Sequence, residues 1–171
     1  FDVNMDLIAG LPSDTPEGFS ETLSRVLALA PENITVHTLS LKKGSRITLE
    51  EVPIPGAGEV SAMLDFAGER LSAAGYSPYY LYRQKFMSGG FENVGWAKDG
   101  RVNLYNICIM EELCSIIAMG GGGSTKLIRP DDGRNIRIMA PKYPLEYISS
   151  IGSTCVEKAK ILDFYNEIEH K

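Results

Sequence analysis

The sequence predicts an α/β fold whose second half turns into an α+β region. Two features of the pattern point there. Between residues 1 and 85, apolar and β-branched runs alternate with helical periodicity in the order β-α-β-α-β. From Phe86 to Ala140 the pattern changes to short candidate strands separated by Gly-Gly, Asp-Gly and Pro-Asp-Asp-Gly. Composition permits a packed core, since 44% of the 171 residues are hydrophobic and 23% charged.

Each element follows from local chemistry. Val3 to Ala9 reads as a strand, broken by Gly10-Leu11-Pro12-Ser13-Asp14. Thr15 is placed to cap a helix that Pro16 opens, with Phe19, Leu23, Val26 and Leu27 on one face and Pro31 as its stop. Ile34 to Leu41 is rich in β-branched residues and predicts a second strand. Strand, helix and strand in this span are the order and size of a crossover with parallel strands. Lys42 to Gly58, with its prolines and glycines, predicts a long loop. Val60, Met63, Leu64, Ala67 and Leu71 mark a second amphipathic helix, ended by Gly75 where a left-handed residue is wanted. Tyr79-Tyr80-Leu81-Tyr82 opens a third strand. Further on, Asp99-Gly100 and Asp132-Gly133 signal hairpin turns, the latter between Thr125–Ile128 and Asn135–Met139. Pro144 to Ser150 predicts a short helix, and Thr154-x-x-Glu157 a capping box opening the last one. The chain shows no internal repeat.

The same numbers exclude function classes. A formal net charge of −5 opposes a general nucleic-acid footprint. No run is long and apolar enough for a membrane span. Three cysteines do not make a disulfide framework, so a reducing, cytoplasmic setting is expected. The chain opens on Phe1, and Phe1 to Gly10 resembles the interior of a strand, so a piece of a longer protein is expected.

Candidate chemistry is sparse. Gly120-Gly121-Gly122-Gly123-Ser124-Thr125-Lys126 fails as a phosphate loop, because Lys126 follows the hydroxyls and a strand follows the run. It predicts either a backbone-lined ligand pocket or a tight bend. Cys108, Cys114 and Cys155 match no common zinc or iron–sulfur spacing and are expected as small core residues. His37, mid-strand, is a packing residue or a group facing a barrel centre. Asp6 lies between Met5 and Leu7 in a strand expected to be covered on both faces, where an acid is costly. That position near the strand's C-terminal end points to ligand contact. Glu111 and Glu112 are a solvated or helix-start pair. Tyr79 to Lys85, aromatic and basic, suits a flat carboxylated ligand or a plain half-exposed strand.

Several of these segments form a known combination. Asn4 to Pro12 followed by Asp14-Thr15 resembles the strand and loop of the oxygen-independent coproporphyrinogen III oxidase family of radical S-adenosylmethionine (SAM) enzymes. Tyr79 to Lys85, Glu92 to Ala97, Tyr105-Asn106, Met110-Glu111-Glu112 and Gly120 to Ser124, in that order, resemble its coproporphyrinogen dehydrogenase branch. The resemblance covers most of residues 1–150. It implies the C-terminal part of a radical-SAM partial (β/α) barrel followed by an α+β C-terminal region. Residues 1–85 would be the final barrel units and 86–171 the C-terminal region.

It also implies SAM and a [4Fe–4S] cluster in a full-length parent, a porphyrinogen-type substrate, and oxidative decarboxylation of propionate side chains in haem biosynthesis. Asp6, Ile8 and Ser40 match cofactor-binding positions. Tyr82, Arg83, Tyr105, Asn106, Gly121 and Gly122 fall on the substrate side. The C-x-x-x-C-x-x-C cluster motif is absent from these 171 residues, so this chain alone is expected to be inactive, to bind neither cofactor, and to self-associate through strand edges. Other readings stay open. They are another radical-SAM activity, a haem-binding or trafficking protein on the same scaffold, and a non-catalytic binding module.

Overall fold

Alternation along the first strand decides which sheet face the helices cover. In β1 (Asn4–Ala9), Leu7 and Ala9 are buried while Asn4, Asp6 and Ile8 are exposed. Helices α1 (Pro16–Leu29) and α3 (Ala57–Ala73) pack on the Leu7 side, with β2 (Asn33–Thr38) beside β1. Their joint core holds Phe19, Leu23 and Val26 from α1, Ile34 and Val36 from β2, and Val60, Met63 and Leu71 from α3. The computed structural model describes residues 1–41, 44–82, 90–129 and 135–169. They divide into two units, Phe1–Leu104 and Tyr105–Lys171.

The ends of these elements follow the sequence. Thr15 caps α1 by accepting from the Gly18 amide at 3.1 Å, with Pro16 in the first turn. Gly75 takes φ +84° just beyond α3, a conformation a side chain would strain. The loop after β2 contains one short turn of helix, α2 (Arg46–Leu49).

β3 (Tyr76–Tyr82) does not pair with β2. β4 (Asn93–Lys98) inserts between them, antiparallel to both, giving the order β1-β2-β4-β3 with β1 and β2 parallel. The sheet therefore continues past residue 85, and the two units divide after Leu104. Asp99-Gly100 makes a turn after β4, but no strand follows, so the expected hairpin does not form. The chain instead enters helix α4 (Leu104–Met110).

In the second unit, β5 (Ser124–Ile128) and β6 (Asn135–Met139) form the expected antiparallel hairpin, and the turn at Asp132-Gly133 lies outside the described residues. α5 (Pro144–Ser149) leads into α6 (Ile151–Glu169), whose Phe164 packs on Leu127 and Ile138 of the hairpin. The capping box expected at Thr154 is absent. α6 starts three residues earlier, and the Thr154 amide already donates to Ser150 O at 2.9 Å. Glu111 and Glu112 end α4 rather than start a helix. The cysteines are not core residues: Cys108 is half-buried, and Cys114 and Cys155 are exposed.

Candidate functional site

The face of the first sheet opposite α1 and α3 is polar and aromatic. Register assigns it Asn4, Asp6 and Ile8 from β1, Thr35 and His37 from β2, and Asn93 and Gly95 from β4. Asp6 is thus not a buried acid in a strand covered on both sides. Its side chain is 59% exposed on a face that no helix of this unit covers among the described residues.

β3 reaches that face through a bulge. Tyr76 pairs with Lys98 and Pro78 with Trp96, on the helix side, where the Tyr76 hydroxyl donates to Pro31 O. Tyr79 is the extra residue, and pairing resumes with Tyr80 opposite Gly95. One inserted residue inverts the alternation, so Tyr80 and Tyr82 turn to the polar face. Gly95 makes room for them, because a Cβ there would lie 1.9 Å from Tyr80 Cε1. The Tyr80 and Tyr82 rings stack with centroids 6.3 Å apart and planes 11° from parallel.

Polar contacts knit this face together. The Thr35 hydroxyl donates to Asn4 Oδ1 at 3.1 Å, so Tyr80 is the donor in its 3.4 Å contact with Thr35 Oγ1. Asn4 Nδ2 donates to Asp6 Oδ1 at 2.7 Å. His37 Nε2 lies 3.7 Å from the same Oδ1, and His37 Nδ1 lies 3.5 Å from the Tyr82 hydroxyl. Burial pushes the Tyr80 phenol above its ordinary value, and neighbouring Tyr79, Tyr82 and Asp6 add to it.

An open pocket of about 370 Å³ lies on this face, lined by Asp6, Ile8, His37, Thr38, Leu39, Ser40, Tyr82 and Asn93. β1, β2 and β3 run in one direction, so Ile8, Ser40 and Tyr82 sit at their C-terminal ends, where α/β folds place ligands. A second pocket, of about 520 Å³, shares Asp6 and Ile8 and runs under the Leu11–Asp14 loop. The only charged side chains lining either pocket, among the described residues, are the carboxylates Asp6 and Asp14. Asn93 is 1% exposed, and its Oδ1 accepts from the Thr38 amide at 2.8 Å.

Four of the residues singled out in the sequence, Asp6, Ile8, Ser40 and Tyr82, therefore share one pocket. Arg83 lies outside the described residues. Tyr105 and Asn106 sit on α4, and Gly121 and Gly122 in a turn before β5, all in the second unit. In that turn the Gly122 amide donates to Pro141 O and the Gly123 amide to Gly120 O, so two donors of the run close a bend instead of facing a ligand. The sequence alone leaves His37 as a packing residue or a group facing a barrel centre, and does not single out Asn93. The register signal for His37 was present, since it lies opposite Ile8 on the neighbouring parallel strand.

Among the described residues, no group of three or more His, Cys, Asp and Glu side chains is placed to hold a metal ion, and no helix is long and apolar enough to cross a membrane.

Comparison with known proteins places this geometry. No protein-family model matches the chain. Over 163 residues, 94% of the chain, it is 42% identical to the oxygen-independent coproporphyrinogen-III oxidase-like protein HemZ of Bacillus subtilis (strain 168), covering 32% of that protein. It is 37% identical over 79 residues to the oxygen-independent coproporphyrinogen III oxidase of Pseudomonas aeruginosa, covering 43% of this chain and 17% of that one. Its fold matches the coproporphyrinogen III oxidase HemN of Escherichia coli, a radical SAM enzyme, with a TM-score of 0.60 at 17% identity over 89% of this chain and 34% of that one. The chain thus spans about a third of the B. subtilis relative and of the E. coli structure. This fold and this identity along nearly its whole length make the chain similar to a portion of the proteins of the oxygen-independent coproporphyrinogen III oxidase family.

Proposed function

We propose that this chain is the C-terminal portion of a coproporphyrinogen III oxidase-like radical SAM oxidoreductase, and that its pocket holds part of SAM. The parent would decarboxylate propionate side chains of a porphyrinogen in haem biosynthesis. The observation that carries the reading is the pocket's charge. It lies at the C-terminal ends of the strands, and its described lining offers the Asp6 carboxylate without lysine or arginine. Such a wall suits a ligand rich in hydrogen-bond donors and carrying positive charge, as SAM is.

The residues present fit that group. Asp6 would accept hydrogen bonds from its hydroxyl or ammonium groups, Ile8 would cover an apolar ring face, and Ser40 would leave room beside it. Bound SAM supplies hydrogen-abstracting radical chemistry. Tyr82, at the far side of the same pocket, would border the substrate. Among the described residues no side-chain group fits an iron–sulfur cluster, whose ligands would come from elsewhere in the parent. Residues 1–85 would supply the final barrel units and 86–171 the region that follows them, with β4 of that region joining the same sheet.

Activity tests the reading. The full-length protein, reconstituted with its cluster under anaerobic conditions, is expected to convert coproporphyrinogen III to a vinyl product detected by mass. This chain alone is expected to give none. Asp6→Asn should lower the rate of the full-length protein about 10- to 100-fold, as loss of a charge-assisted hydrogen bond implies. Undiminished turnover by Asp6→Asn would remove the cofactor assignment. A second reading rests on the B. subtilis relative, whose name says oxidase-like. Haem binding or trafficking on the same scaffold predicts haem uptake with no vinyl product.

A further inference from the structure

A hydrogen-bonded chain and a line of longer polar contacts both start at the stacked tyrosines and end on one carboxylate oxygen. Along the first, the Tyr80 hydroxyl donates to Thr35, Thr35 to Asn4 Oδ1, and Asn4 Nδ2 to Asp6 Oδ1. The second runs through His37, with the Tyr82 hydroxyl at Nδ1 and Asp6 Oδ1 facing Nε2. Among the described residues, Asp6 Oδ2 accepts no hydrogen bond, although Asp6 lines both pockets.

We propose that His37 is a positioning residue for Asp6, holding the carboxylate with Oδ1 toward the sheet and Oδ2 toward the ligand. The inference rests on the cofactor reading above and extends it to a residue that makes its contact through another. Direction of donation follows from the geometry. A carboxylate only accepts, so the contact with Asp6 needs the proton on Nε2, which in a neutral ring leaves Nδ1 to accept from Tyr82. Asn4 alone fixes one oxygen but leaves the carboxylate free to swing about it. A second contact from the neighbouring strand restricts that rotation. The imidazole is itself held, being 24% exposed and edge-on to the Tyr82 ring at 6.3 Å and 73°. At 3.7 Å and 3.5 Å the two contacts are long, as site contacts are before a ligand draws them in.

The test measures binding of S-adenosylhomocysteine to the full-length protein by calorimetry, with thermal melting to show that each variant is folded. Asp6→Asn reports on the cofactor reading and should weaken binding tenfold or more. His37→Phe keeps the ring volume and removes both nitrogens, and should weaken binding about tenfold. His37→Gln retains an amide donor at about the reach of Nε2 and should recover most of that loss. Binding by His37→Phe equal to the unmodified protein, with Asp6→Asn still defective, would overturn the His37 assignment and leave the cofactor reading standing. Equal defects in His37→Phe and His37→Gln would also overturn it, because a donor would then not matter. Normal binding by Asp6→Asn would overturn both.

Discussion

Gly95 is the residue on which the aromatic face depends. Its missing side chain is occupied by the Tyr80 ring, with 1.9 Å between a would-be Cβ and Cε1. Gly95→Ala must expel that ring, and should cost about 1–3 kcal/mol of stability, the range of an overpacked site. Near-ultraviolet circular dichroism should lose the tyrosine signal with it, and an unchanged spectrum and melting temperature would contradict the packing described. Tyr80 also carries a pH signature. Burial raises its phenol above 10.0, so the folded state favours the protonated form. That contribution is complete below the ordinary value and is lost as pH rises from there through the raised one. Melting temperature should therefore fall in alkali, less steeply in Tyr80→Phe. The Tyr-Tyr-x-Tyr cluster was visible in the sequence, but its orientation was not. Simple alternation from Tyr76 puts Tyr80 and Tyr82 among the helices, and only the unpaired Tyr79 reverses this.

Among elements, those legible in advance had strong local chemistry. α1 begins where Thr15-Pro16 says it should, and α3 ends before Gly75. α4 was missed because its seven residues follow a turn signal that suits a hairpin equally well. Its end is a Schellman closure, in which the Leu113 amide donates to Cys108 O at 2.9 Å and Glu112 takes φ +54°. Glu112 accepts that strained backbone while pairing with Lys126 of β5. The hydrogen bond from Lys126 and then its charge hold the Glu112 carboxyl below its ordinary 4.5; burial opposes this, and Arg137 and Asn135 add to it. The pairing contributes above the ordinary value and is lost as pH falls through the lowered one. Glu112→Gln should thus melt lower than the unmodified protein at neutral pH, with the two curves converging in acid. Curves that stay parallel down to full protonation would rule out this pairing as a source of stability.

At the scale of the whole molecule, the two halves were not equally readable. The first unit carries its parallel βα logic in hydrophobic periodicity, which is a local signal. Insertion of β4 between β2 and β3 is a long-range pairing, and no feature near residues 93–98 announces it. The same holds for the site. Asp6 and Ile8 come from β1, Ser40 from the segment just beyond β2 and Tyr82 from β3, and only the geometry shows that they share a pocket. His37 needed the register, because its relation to Asp6 crosses from β2 to β1. The central claim is that this pocket, at the strand ends of the first unit, receives the adenosyl cofactor. Hydrogen exchange of the full-length protein, with and without S-adenosylhomocysteine, tests it most directly. Slowed exchange is expected in residues 5–9 and 37–41 when the ligand is added, with the β5–β6 hairpin unchanged. Ligand binding that leaves both segments exchanging at their original rates would contradict it.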